Sequence, residues 1–384
     1  MDWLSMITGS VFLTLISFLV VLTVVVFIHE LGHFWVGRLC GVGVTAFSIG
    51  FGRELFGWTD KHGTRWMISA IPLGGYVKFV GDLNPASVPD QDDLSRMTPE
   101  QRAVSFPHQN VAKRAAIVAA GPIANFILAI AIFAGFNYFN GRQVLEPRIE
   151  AVQPGSPAER AGFQPKDLIV AIDGREISTF ADMQLLVSSS AGESLAFTVE
   201  RDGQNVVLNA TPNFVERTTP FGKQRIGLLG VEASRDPAAI RRLTYTPLEA
   251  VKAGAVETWN LVERTLNFLR RLVLGWESAD QLSGPIGIAR ASGTAFELGG
   301  VYSLVSLIGF MSVSIGLVNL FPIPLLDGGH LLFYAIEAVR GRPLSERAQE
   351  IGFRIGFAIV AMLMLFATWN DLVHLGTSFM AQGT

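Results

Sequence analysis

The chain has 384 residues with a formal net charge of -3, 49% hydrophobic and only 16% charged residues, and a mean hydropathy of +0.38. So little charge points to a membrane rather than to a soluble domain, and the balance leaves no excess of basic residues to hold a nucleic acid, so no nucleic-acid partner is expected. A single cysteine, Cys40, excludes an internal disulfide framework and a cysteine metal cluster and reads as a small packing residue.

Four stretches that carry no charge except Glu30 approach or exceed the length that crosses a bilayer: residues 3–35, 115–139, 298–326 and 355–370. The last is short unless its flanking charges reach the interface. Residues 1–3 offer no basic region or cleavage site of a signal peptide, so the first run is expected to stay in the protein. Lys and Arg crowd the segments between spans one and two (Arg38, Arg53, Lys61, Arg65, Lys78, Arg96, Arg102, Lys113, Arg114) and between spans three and four (Arg340, Arg342, Arg347, Arg354). Residues 1–10 and 371–384 have none. Both termini are therefore expected outside the cytoplasm.

The first span ends in Phe27-Ile28-His29-Glu30-Leu31-Gly32-His33-Phe34. On a helix His29 and His33 lie one turn apart on one face, able to grip one metal ion, with Glu30 beside them. This is the His-Glu-x-x-His pattern of zinc hydrolases: neutral imidazoles hold the ion and the carboxylate takes a proton from its water. In a spanning helix such groups are costly unless they face a polar cavity.

Residues 40–81 read as short strands punctuated at Asp60-Lys61-His62-Gly63 and Leu73-Gly74-Gly75. They predict a small sheet on the cytoplasmic side whose free edge could pair with an extended peptide; a sheet that only plugs the bundle fits the pattern equally. Residues 82–110, with Asp90, Asp92 and Asp93, read as a flexible loop. Gly121-Pro122-Ile123-Ala124-Asn125 interrupts the second span, and two readings stay open: close packing or a kink, and a role beside the metal.

Residues 148–211 change to a soluble character. Glu150 to Gly162 followed by Asp167-Leu-Ile-Val-Ala-Ile-Asp173-Gly174 resembles a PDZ domain of the bacterial protease type, with Lys166 where glycine is usual. The physical content is a turn, a short helix, a buried strand and an Asp-Gly hairpin, and such domains bind chain ends by strand addition. Residues 212–246 show no second copy. Apolar residues from Leu248 to Val273 at spacings of three and four, interleaved with charges, predict an amphipathic helix on the outer membrane face or beneath the PDZ-like domain. Residues 283–288, Ser-Gly-Pro-Ile-Gly-Ile, read as a loop.

The third span closes with Asn319-Leu-Phe-Pro322-Ile-Pro324-Leu-Leu-Asp327-Gly328-Gly329-His330. Spans one and three both run inward, so Asp327 is expected at the depth of His29 and His33, where a lone carboxylate favours a cation. Two His and one carboxylate leave a fourth zinc position for water. Asp327 could instead cap the following helix, and His330 could replace it as ligand.

Together these motifs resemble the site-2 protease family of intramembrane zinc metalloproteases over almost the whole chain. The resemblance implies one zinc ion per chain on His29, His33 and Asp327, with Glu30 as catalytic base and Asn319 holding the substrate or its oxyanion. It maps the family's membrane-associated β-loop, where substrate pairs, onto Gly74, Gly75, Tyr76, Val77, Lys78 and Phe79. Gly121, Pro122, Asn125 and His330 would support the site. It further implies a bacterial inner-membrane enzyme of regulated intramembrane proteolysis, cutting single-span membrane proteins such as trimmed anti-sigma factors or remnant signal peptides. The best-known members carry two PDZ domains, where one is read here. Rival readings are an inactive zinc-containing receptor or scaffold displaying a PDZ module, and a membrane zinc protease that trims prenylated or signal-type peptides.

The expected fold is thus a polytopic α-helical membrane protein with about four transmembrane helices, a small membrane-associated β-sheet and an inserted extracytoplasmic α+β PDZ-like domain. Its expected parts are residues 1–140 (two spans, zinc motif and β-loop), 141–215 (PDZ-like domain), 216–297 (linker and amphipathic helix) and 298–384 (two spans and the third ligand). The expected partners are the lipid bilayer, single-span substrates and a peptide or chain-end ligand of the PDZ-like domain.

Overall fold

In the computed structural model, residues 3–82, 96–219, 222–234, 240–275 and 283–382 are described, and they divide into two units. The first combines Met1–Gly135 with Val251–Thr384, and the second is Phe136–Ala250.

Four helices of the described residues are long and apolar enough to cross a membrane: Val11–Leu39, Val111–Asn140, Pro285–Asn319 and Arg347–Val373. They lie within α1 (Trp3–Leu39), α3 (Val111–Asn140), α7 (Pro285–Asn319) and α9 (Glu346–Gln382). Each exceeds the roughly 20 residues a bilayer requires. In lipid, apolar contact alone gives little drive for helices to associate, so close packing of small residues carries more of the load. Gly293 of α7 lies against Thr14 of α1, and Gly309 of α7 against Phe133 of α3. Around these contacts Val21 and Val25 pack on Leu304, Ile308 and Met311.

Between α1 and α3 the chain forms β1 (Val44–Thr59), β2 (Arg65–Phe79) and the short helix α2 (Pro99–Val104). Residues 46–49 of β1 have partners on both sides, Lys78 to Gly75 on one and Arg65 to Ile68 on the other, while 54–59 run back along 65–69. The pair thus curls into a small sheet in which residues 75–79 form an outer edge. Its core is aromatic: Phe47 stacks on Trp66, and Phe34 of α1 meets both edge-on. At the far turn Asp60 accepts from the Arg38 guanidinium, the His62 and Thr64 amides and the Trp66 indole. Burial opposes its ionisation, but these hydrogen bonds hold its carboxyl well below the usual range. The loop expected over 82–110 is corrected in its described part. Helix α2 is closed by a capping box in which Thr98 and Gln101 exchange hydrogen bonds. The acidic run at Asp90, Asp92 and Asp93 lies outside the described residues.

The second unit contains β3 (Arg142–Leu145), β4 (Ile149–Val152), α4 (Pro157–Ala161), β5 (Leu168–Ile172), β6 (Arg175–Glu176), α5 (Phe180–Ser189), β7 (Leu195–Arg201) and β8 (Gln204–Ala210). The strand order β6-β5-β7-β8 makes an antiparallel sheet, closed at Asp173-Gly174 by a two-residue turn with positive φ at both positions. Ile149, Ile169, Phe197 and Val199 are at most 1% exposed, each stabilising the unit by roughly 1.5–3 kcal/mol relative to exposure. Arg201 grips the buried Asp167 carboxylate with two hydrogen bonds, 2.7 and 2.8 Å long.

Residues expected to be linker continue this unit. After the hairpin β9 (Asn213–Thr219) and β10 (Gly222–Leu228), β11 (Val231–Ala233) pairs with β4 and β12 (Ile240–Leu243) pairs with β3. Leu229 joins the core. The amphipathic α6 (Pro247–Val273) then packs in the first unit on α3, with Gly254 against Ile130 and Ala134 and Leu261 beside Phe133.

Two further boundaries differ from expectation. Residues 283–288 are not a loop. Gly284 caps α7 and Pro285 begins it, while the buried Asp371 of α9 accepts from the Gly284 and Gly287 amides. The third span therefore starts earlier than residue 298 and ends at Asn319, with a kink at Gly300.

Candidate active site

The long apolar run of α1 leads into His29, Glu30 and His33, and the helix continues to Leu39. Two prolines end regular helix after Asn319, and the chain turns through 320–326 before restarting as α8 (Asp327–Arg340). The turn is tight because Gly328 and Gly329 pack against the Leu320, Phe321 and Ile323 backbone, where a β-carbon would overlap carbonyl oxygens. Leu325, just before Asp327, has φ of 106°, a backbone strain of the kind that gathers at functional sites. Arg114 of α3 clamps the new helix in place, pairing with Glu337 at 2.6 Å and lying over the Tyr334 ring.

This path carries Asp327 Oδ2 to 3.1 Å from His29 Nε2 and 3.5 Å from His33 Nε2, and the two nitrogens are 3.2 Å apart. A tetrahedral ion with bonds of about 2.0–2.1 Å has ligand–ligand edges of about 3.3 Å, so the three atoms stand where one zinc ion would hold them. The donor set agrees, since three lone-pair groups converge in a buried place and Oδ2 has no ordinary hydrogen-bond donor. Asp327 is not the cap of its helix; Leu326 holds that position, with no side-chain capping bond. His330 lines the same cavity against Phe353 and Tyr334 and stands outside the ligand group.

The rings are fixed from behind. His33 Nδ1 donates to the Ile117 carbonyl at 2.9 Å, which leaves Nε2 free to face the ion. Asn125, fully buried, places its amide 3.3 Å from His29 Nδ1. Gly121 gives both rings their room, because a β-carbon there would overlap His33 Nε2 and press on His29 Cε1. Gly121 and Asn125 thus stand beside the candidate metal position, while α3 runs unbroken through Pro122.

In front lies a cavity of about 360 Å³ lined by Glu30, the three candidate ligands, Asn319 and the β2 edge at Gly74, Gly75, Tyr76, Val77 and Phe79. Gly75 abuts Glu30, with an added β-carbon only 3.2 Å from Glu30 Cγ. Lys78 is outside the lining; its carbonyl accepts from Thr45. Among the described residues, 75–79 have β1 as their only strand partner, while the Phe79 amide donates to Asp82 and the Val77 amide meets the Glu30 carboxylate.

Residues 17–363 match the sequence profile of Peptidase family M50. The chain belongs to that family. A Brucella suis protein assigned by name as a zinc metalloprotease is 52% identical, aligned over 94% of this chain and 95% of its own. The metalloprotease MmpA of Caulobacter vibrioides is 46% identical over 93% and 95%, and the regulator of sigma-E protease RseP of Escherichia coli 34% over 94% and 98%. The E. coli alignment extends over 460 positions, more than the 384 residues here, so that relative carries inserted sequence. This M50 peptidase is accordingly a zinc metalloprotease, with four helices among its described residues long and apolar enough to cross a membrane.

Sequence reasoning missed the Ile117 carbonyl that orients His33, and Phe51, Phe106 and Ile315 in the cavity wall. A backbone acceptor 84 residues away leaves no mark on residue type. The signal at Thr98 was available, since Thr-x-x-Gln is the capping-box pattern.

Proposed function

We propose that this M50 peptidase cleaves the transmembrane segments of single-span membrane proteins, such as trimmed anti-sigma factors or remnant signal peptides, as a step of regulated intramembrane proteolysis. The observation that carries this reading is one cavity that joins the His29, His33 and Asp327 group, Glu30 and the 75–79 edge of the β1–β2 sheet, at the ends of helices long and apolar enough to cross a membrane.

His29 Nε2, His33 Nε2 and Asp327 Oδ2 would hold the zinc. When bound, it polarises the scissile carbonyl and makes its water acidic. Glu30 takes a proton from that water and returns it to the departing amine nitrogen. Asn319, which lines the same cavity, supplies an amide donor for substrate or its oxyanion. A helical substrate cannot be cut while its carbonyls are hydrogen-bonded within the helix, so it must unwind locally. The 75–79 edge supplies backbone partners to the unwound piece by strand addition.

The second unit is proposed to be PDZ-like. Its buried Asp167, its short helix α4, its Asp-Gly hairpin and its antiparallel sheet support this, and Lys166 adopts φ of 77°, the conformation that explains why glycine is usual there. On the distribution of Lys and Arg it faces the outside of a bacterial inner membrane, as do both termini, and it selects substrates by binding a chain end or excluding bulky domains. The test is co-expression with candidate single-span proteins. Wild type should yield a truncated product and Glu30→Gln none; the same product from both proteins would mean that another protease makes it.

A further inference from the structure

We infer that Asn125 is a positioning residue that selects the metal-binding tautomer of His29, its amide oxygen accepting the Nδ1 proton. The argument rests on the metal assignment above. A neutral imidazole carries one proton, so a ring that presents the Nε2 lone pair to an ion must hold its proton on Nδ1. His33 follows this rule visibly, with Nδ1 bonded to the Ile117 carbonyl. Among the described residues, no backbone acceptor stands at the corresponding place beside His29. Among the described residues its Nδ1 has one hydrogen-bonding neighbour, the Asn125 amide at 3.3 Å.

Asn125 is 0% exposed, and its side chain has one end against the ring and the other, Oδ1, buried without a partner. With the nitrogen toward Nδ1 the amide donates, and the proton of His29 sits on Nε2, facing Asp327 Oδ2 at 3.1 Å. A half turn of the amide exchanges its ends. The oxygen then accepts from Nδ1–H, and the Nε2 lone pair is free for the ion. One end of the amide is unpaired in either orientation, so the requirement of the ring decides between them. The backbone of Asn125 stays in place throughout, because its carbonyl accepts from Ser312 of α7 at 2.8 Å and its Cβ lies against Gly316. Side chains that hold metal-binding histidines in this way change affinity by about 10–100-fold when removed.

The test is the zinc dissociation constant of the purified full-length protein in detergent, measured by competition with a chromogenic chelator. Wild-type uptake of one zinc in the same titration tests the metal assignment separately. Asn125→Leu keeps the volume and loses the acceptor, and it should weaken zinc binding about 10–100-fold. Asn125→Asp keeps an oxygen toward Nδ1 and should bind within a few-fold of wild type, roughly. Should the Leu protein fail to fold, Asn125→Ala takes its place in the same titration. Wild-type affinity in the variant without an acceptor would overturn the inference. Equal weakening in that variant and in Asn125→Asp would overturn it as well, since packing rather than the acceptor would then be what matters.

Discussion

Gly121 shows how one missing side chain can set a metal site. Its Cα faces both imidazoles so closely that any β-carbon would overlap His33 Nε2. Gly121→Ala should therefore leave the purified protein with almost no zinc while its helical circular dichroism persists, since Ala favours helix. Zinc content equal to wild type would show that the rings have other room. Lys166 poses the opposite case. It holds φ of 77° on a side chain that disfavours it, and Lys166→Gly should raise the stability of residues 136–250 by about 0.5–1 kcal/mol, after the extra chain entropy of glycine is deducted. Thermal unfolding measures this, and a lowered midpoint would mean that the Lys166 side chain has a role of its own. The convergence of His29, His33 and Asp327 was legible at this scale, because histidine and aspartate at the ends of apolar runs are costly without a purpose. What fixes their rings was not, since an Asn, a Gly and a carbonyl on another helix carry no chemical signature until the helices are packed.

At the scale of elements, the link between α7 and α9 depends on one carboxylate. Asp371 accepts from the Gly284 and Gly287 amides at 3.1 and 2.9 Å, joining the last apolar helix to the first turn of the third. Asp371→Ala leaves the buried Gly284 amide and the partly buried Gly287 amide without their acceptor and should destabilise the bundle by about 1–2 kcal/mol. Asp371→Asn, which keeps one acceptor, should lose less. Unfolding in detergent distinguishes them, and two unchanged midpoints would remove the cap from the account. This contact also explains why residues 283–288 read as a loop: Gly-Pro punctuation marks a turn, whereas the carboxylate that converts it to a helix start lies 84 to 87 residues away. The strands β11 and β12 escaped for the same reason. Three and four residues long, they show no alternating pattern, and their partners lie near the start of the unit. By contrast the four spans and the amphipathic α6 were readable, since their apolar patterns are long and owe nothing to a distant partner.

For the whole molecule, function depends on which side of the membrane each part faces. On the proposed topology the 44–79 sheet, between the basic residues that separate the first two spans, would lie inside, and both termini, which lack Lys and Arg, would lie outside. In a Cys40→Ser background, a cysteine at Lys61 should react with a membrane-impermeant maleimide only after lysis, and one at Gly174 in intact cells stripped of their outer envelope. The reverse pattern would invert the topology and separate the proposed selection of substrates from its side of the membrane.

If this zinc metalloprotease cuts within a transmembrane segment, the position of the cut reveals it. Purified wild-type and Glu30→Gln proteins, both zinc-loaded, would be reconstituted in vesicles with a pre-trimmed single-span substrate, and the products weighed by mass spectrometry. Wild type should give one new terminus inside the apolar segment, toward its cytoplasmic half, and Glu30→Gln none. A cut confined to the residues outside the apolar segment, or equal cleavage by the Glu30→Gln protein, would contradict it.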